Sequence, residues 1–154
     1  MVAYSFQRMF VAPIRRVINP KRHTIRGDRK RHARPGETLQ LYCRQRCADG
    51  FLIGTSCCDE VLPIVIHFGS HSKIWVGNLA PIIGRTNLNT FAVSDGFGSW
   101  DELTWFWQHY HKPIFSRSTA TAIFSGWIVF WSEFKDAAPE ANHVEHVTNA
   151  AAGV

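Results

Sequence analysis

Apolar and polar residues alternate most regularly in the run Glu37-Thr-Leu-Gln-Leu-Tyr-Cys43. That period of two predicts a half-buried strand over 37–43, with Leu39, Leu41 and Cys43 on its inner face. Residues 4–10 read as an earlier strand running into a brief helix over 11–17, where Pro13 suits a first helical turn. Asn19-Pro20 breaks the chain, 23–26 is β-prone, and 27–35 is a polar, basic loop expected to be exposed. Further strands are predicted over 51–56, 60–68 and 73–76, with Pro63 marking an edge position or a bulge. Trp100, Leu103, Trp107 and Tyr110 fall at helical spacing, and Ser99 followed by Glu102 forms a capping box, so 100–110 is a helix. A long β-rich run over 122–132 closes the pattern. Beyond Phe134 the chain becomes Ala-rich, so residues 1–134 are expected to form one domain and 135–154 a frayed or disordered tail. Several short strands and one firm late helix imply an α+β fold, a small β-barrel of about five to seven strands with two or three helices packed outside.

Charge changes this picture more than composition does. The first 36 residues carry ten Lys/Arg against one acid, a balance of +9, and the rest carries seven against eleven, a balance of −4. A chain polarised in this way selects anionic partners, and the density of Arg and Lys between Arg26 and Arg34 suits the phosphates of RNA. Arg8, Arg22, Arg26, Arg29, Lys30, Arg31 and Arg34 are the candidate contacts. Tyr42 is a candidate surface on which a base could stack. At 154 residues with 45% hydrophobic content the chain has material for one real core. No apolar run is long enough for a membrane span or a signal peptide, which places the protein in the cytoplasm with no membrane partner.

Four cysteines, Cys43, Cys47, Cys57 and Cys58, raise the question of zinc. The adjacency of the second pair is poorly suited to tetrahedral closure, so ordinary thiols are expected and no metal or other cofactor. His109, His111, His143 and His146 have no third ligand nearby and read as surface residues. No G-x-S-x-G elbow supports a Ser–His–Asp hydrolase.

Phe6-Gln7-Arg8, the run Lys21-Arg22-His23-Thr24-Ile25-Arg26, the turn Arg34-Pro35-Gly36-Glu37 and Ser94-Asp95-Gly96-Phe97 ahead of the Trp-rich helix together resemble the ASCH domain family over roughly residues 4–132. The resemblance implies a PUA-like β-barrel and an association with RNA or modified nucleosides. One branch consists of small amidohydrolases that remove the acetyl group from N4-acetylcytidine with a Lys, a Thr and a Glu. Lys21 and Thr24 match the first two, and Asp95, one methylene shorter, stands at the third. This implies a metal-independent catalytic trio of Lys21, Thr24 and Asp95.

Elementary chemistry bears on the same residues. A Thr hydroxyl becomes a useful nucleophile when a neutral amine takes its proton, and Lys needs its pKa lowered by about 3 units to be neutral at pH 7. Flanking cations and burial both act in that direction. Residues three apart on a strand face opposite sides, so Lys21 and Thr24 cooperate only if Lys21 belongs to the preceding turn or a bulge intervenes. Two other readings use the same basic cleft: a non-catalytic RNA-binding module, and a ribonuclease with Lys21 and His23 or His32 as acid–base groups. A plainer reading makes Lys21 a solvated charge, Thr24 a strand residue and Asp95 a cap.

Overall fold

A computed structural model describes residues 1–115 and 121–137. Its elements are β1 (Val2–Phe6), a short 3-10 turn (Arg8–Phe10), α1 (Val11–Arg15), β2 (His23–Arg26), β3 (Thr38–Cys43), β4 (Phe51–Gly69), β5 (Lys73–Val76), β6 (Ile82–Ile83), α2 (Arg85–Ser94), α3 (Trp100–Tyr110), α4 (Lys112–Phe115) and β7 (Thr121–Asp136). The described residues form an α+β fold of seven strands and short helices.

Alternation decides which face each strand buries. Val2, Tyr4 and Phe6 of β1, Leu39, Leu41 and Cys43 of β3, and Ile64, Ile66 and Phe68 of β4 all point into one core. The first predicted strand is shorter than its apolar run because Arg8–Phe10 turns helical at once. The two strands expected over 51–56 and 60–68 are one strand of 19 residues, β4. It survives the polar stretch between them by bulging, with register shifts on either side of Cys58 opposite β7. Pro63 lies just past the end of the β5 ladder, where its carbonyl accepts from Gly77 N at 2.9 Å. Nitrogen and carbonyl of one strand residue point the same way, so the missing N–H of Pro63 faces a side with no ladder to break.

β4 and β7 form the spine, paired antiparallel from Gly54↔Asp136 to Gly69↔Thr121. On one side of β4 stand β3 and then β1, the latter parallel to β3; further along the same strand stand β5 and β6. Among the described residues, β2 pairs only with β7, and β1 only with β3. The strands β1-β3-β4-β7-β2 are therefore an open series, and the sheet is not closed into a barrel. Its two end strands are linked by a side chain: Arg26, at the end of β2, donates to Ser5 O of β1 at 2.7 Å.

β7 runs to Asp136, two residues past the expected domain end, because Gly54, Thr55 and Ser56 pair with its last residues. The expected tail over 135–154 lies outside the described residues from 138 onward, as do His143 and His146. No helix among the described residues is long and apolar enough to cross a membrane.

α2 escapes a hydropathy reading because only Leu88, Phe91 and Ala92 of its ten residues are buried and its Asn and Thr residues are weak helix formers. α3 begins where its capping box indicates, with Ser99 Oγ accepting from Glu102 N at 3.2 Å. Its buried face is Trp100, Leu103 and Trp107, whereas Tyr110 at the last turn is exposed.

Candidate functional site

Lys21 lies in the turn before β2, not on the strand. Asn19 takes a positive φ of 47°, which a short polar side chain tolerates, and Lys21 N donates to Pro13 O at 2.9 Å. The chain is thereby folded back on α1, and the lysine side chain runs inward. Asp95 comes from the C-terminus of α2. Phe97 N bonds Ala92 O at 2.9 Å and Gly96 N bonds Val93 O at 3.0 Å, the crossed pair of a Schellman turn with Gly96 at φ +98°. Asp95 is the last residue before that reversal.

These two residues, 74 apart in sequence, meet in the interior. Lys21 Nζ donates to Asp95 Oδ1 in a very short contact and to the Asp95 carbonyl at 2.7 Å, and the two residues are 3% and 5% exposed. One amine thus neutralises a carboxylate and also caps a carbonyl at the negative end of α2. The nitrogen also lies over the ring of Phe10, whose centroid is 4.8 Å from Nζ. Neither residue is a solvated charge or a surface cap.

His23, the first residue of β2, joins the pair. Its Nε2 lies 3.1 Å from Asp95 Oδ1, within ion-pair reach but without hydrogen-bond alignment. Phe91 and Phe130 flank its ring at 5.5 and 5.6 Å. Burial pushes the Lys21 pKa down, Asp95 opposes it, Arg26 adds to it, and the net direction is below the ordinary lysine value. Burial also works against the Asp95 carboxylate, but Lys21 and then His23 outweigh it, and its pKa lies below the usual value.

Thr24 is buried on β2 and faces the same side of the strand as Arg26. Arg26 Nε donates to Thr24 Oγ1 at 3.1 Å, so the hydroxyl sits beside a guanidinium with its own proton still to give. Burial, chiefly, pushes the Arg26 pKa down to about 10. The guanidinium carbon is 5.0 Å from the Phe6 ring and 5.5 Å from the Tyr4 ring. Gly126 on β7 lets β2 come this close: a Cβ there would lie 2.4 Å from Arg26 O.

The other basic residues do not form one patch. Arg29 joins Arg26 at Tyr4, 5.0 Å from its ring. Arg31 is bound by Glu37, Nη1 to Oε2 at 2.8 Å; Glu37 also takes the Arg34 N–H at 3.0 Å and the terminal amine at 3.1 Å. Those donors, Arg31 first, hold the Glu37 carboxyl well below the usual carboxylate range. Arg8 shares the Asp49 carboxylate with Arg44, at 2.9 and 2.7 Å. Arg22 turns inward to Ile14 O at 2.7 Å and over the Phe134 ring, a structural role. Lys30 and Arg34 form no ion pair among the described residues and are exposed. Tyr42 is half-buried on the outer face of β3.

The loop over 27–35 is better anchored than its polarity implies. The Tyr4 hydroxyl accepts from Ala33 N at 3.1 Å and lies 3.4 Å from His32 Nδ1, while His32 Nε2 lies 3.2 Å from Gly27 O. The roles of Tyr4 and Glu37 leave no mark in a sequence motif. The sequence offers His23 as an acid–base group for RNA cleavage, and the structure sets it against Asp95.

Two surface hollows, about 460 Å³ beside Arg31, Arg34 and Glu37 and about 330 Å³ between α3 and the end of β4, do not include Lys21, Thr24 or Asp95. The four cysteines are free thiols, Cys43 and Cys58 buried and Cys47 and Cys57 exposed. No cluster of three His, Cys, Asp or Glu side chains suited to a metal occurs among the described residues. No family model, curated protein or solved structure matches the chain.

Gly96 is the residue on which the site's assembly depends most locally. A Cβ there would press on Pro13 at 3.2 Å and on Lys21 Cδ and Phe10 at 3.3 Å, at a φ that L residues rarely adopt. Gly96→Ala is expected to cost about 1–3 kcal/mol. A thermal melt followed by circular dichroism checks this; an unchanged midpoint refutes it.

Proposed function

We propose that this chain is an ASCH-type protein of PUA-like architecture that acts on RNA or a modified nucleoside, as an amidohydrolase removing the acyl group from an N4-acylated cytidine. The observation that carries the reading is the buried Lys21–Asp95 pair; Thr24, three residues further along the chain, is also buried, and its hydroxyl is held by Arg26. Hydrolysis of an acyl amide needs a nucleophile, a base for its proton, a donor for the oxyanion and an acid for the leaving amine. Thr24 or a water is the nucleophile. Lys21, once neutral, accepts its proton, and burial already favours that neutral form. Arg26 faces the developing oxyanion as a charged donor, and Asp95 holds Lys21 in place while the proton passes on to the departing exocyclic nitrogen. The acyl carbon exchanges its C–N bond for a C–O bond, and water completes release of the carboxylic acid. The open series of five strands whose ends are linked by Arg26 is compatible with the barrel that the family resemblance implies.

The test is release of cytidine from N4-acetylcytidine, followed by chromatography, for wild type, Thr24→Ala and Thr24→Ser. Wild type is expected to turn over, Thr24→Ala to lose about 100-fold or more, and Thr24→Ser to keep most activity. No cytidine from wild type, or equal rates for wild type and Thr24→Ala, would overturn the proposal.

A further inference from the structure

The outer edge of β1 has no strand beside it among the described residues. In the parallel pairing with β3, Phe6 O is turned inward, to Arg44 N at 3.0 Å, so Ala3 and Ser5 direct their carbonyls to the open side. Two arginines occupy that edge: Arg26 reaches Ser5 O at 2.7 Å and Arg29 reaches Ala3 O at a weak 3.4 Å. Both lie within 5.5 Å of the Tyr4 ring. They are close enough that Arg29 contributes to lowering the Arg26 pKa.

Two guanidiniums converging on one ring repel each other unless an anion lies between them. No carboxylate among the described residues forms an ion pair with either. Asp28, the only acid in the first 36 residues, accepts from Trp127 Nε1 at 3.1 Å; Glu37 is taken by Arg31, and Asp95 by Lys21 and His23. Burial rises inward from this edge. Arg29 is exposed, Arg26 half-buried, and Thr24, one hydrogen bond further in, fully buried.

We propose that Arg26 and Arg29 over Tyr4 form a seat for a phosphate ester, so that a phosphorylated cytidine unit is taken in preference to the free nucleoside. The seat rests on the proposed function for the identity of the base, while its anion chemistry stands on the arginine geometry. The weak carbonyl contact of Arg29 is given up to the phosphate, whose paired oxygens match a guanidinium fork. The phosphate then lies at the exposed edge, one hydrogen bond from Thr24 through Arg26. A terminal monophosphate and an internal RNA phosphodiester share this chemistry.

Calorimetric titration of the full chain at low salt with cytidine, cytidine 5′-monophosphate and a cytidine trinucleotide lacking terminal phosphates tests the seat. At least one phosphate-bearing ligand is expected to bind about 10-fold or more tighter than cytidine. Arg29→Ala should remove that advantage, and Arg29→Glu should reverse it. The exposed position of Arg29 leaves the fold intact in both variants, which the melting curve verifies. Preference for the monophosphate identifies a mononucleotide and preference for the trinucleotide an RNA strand; either supports the seat. Equal affinity for all three ligands, or an advantage untouched by Arg29→Glu, overturns it. Turnover of N4-acetylcytidine without any phosphate preference would sink the seat alone, and phosphate-dependent binding without turnover would sink the hydrolase alone.

Discussion

Lys21→Met is expected to destabilise the protein by about 3–5 kcal/mol, the usual consequence of leaving a buried charge without its partner. Asp95 would keep a carboxylate with only His23 near it, and the Asp95 carbonyl would lose its 2.7 Å donor. The double variant Lys21→Met/Asp95→Leu removes both charges and should recover much of that loss, since an apolar pair of similar volume avoids the desolvation penalty altogether. Chemical denaturation of wild type, the single variants and the double variant gives the coupling energy. Additive losses would show that the two groups do not interact as the structure places them. The double variant should also be inactive toward N4-acetylcytidine although stable, which separates the proposed chemical role of Lys21 from its role as a cap on α2. A stable double variant with wild-type turnover would remove Lys21 from the mechanism.

The second large effect is in pH dependence. If neutral Lys21 is the base, kcat/KM should climb about tenfold per pH unit on an ascending limb and level off once the amine is deprotonated. That limb belongs below 10.5, the ordinary lysine value, because burial first and Arg26 further lower the pKa against the opposing pull of Asp95. Asp95→Asn removes the carboxylate that favours the charged amine, so the limb should move to lower pH. A limb that moves upward, or does not move, would assign the ionisation to another group. Stability should follow the same ionisations. Lys21 binds its proton less tightly folded than unfolded, so stability rises as pH increases through its folded pKa toward 10.5. Asp95, whose folded pKa is depressed, contributes stability that is present above 3.8 and is lost as pH falls through the folded value.

Much of the fold was legible along the chain. β3 and the inner faces of β1, β4 and β5 follow from alternation, because a strand that buries one face must place its apolar side chains two apart. α3 follows from Ser99, Glu102 and the spacing of Trp100, Leu103 and Trp107. α2 was missed because its helical identity comes from packing Leu88, Phe91 and Ala92 under a Schellman turn, and not from a repeating apolar stripe. The merging of two expected strands into β4 was equally hidden. A polar run such as Cys57-Cys58-Asp59 reads as a break unless a partner like β7 is present to hold it extended.

The charge asymmetry of the chain and the alternating faces of its strands are properties of neighbouring residues, set by local sterics and hydropathy, and they can be read in one dimension. What each charge does cannot. Lys21 and Arg31 stand in the same basic run, yet one is buried against Asp95 and the other lies at the surface in the grip of Glu37. Arg26 and Arg29, without a carboxylate partner among the described residues, cover the carbonyls on the free edge of β1. These outcomes depend on which distant segments the closed chain brings together, and a desolvated pair 74 residues apart exists only after α2 and the turn before β2 have packed.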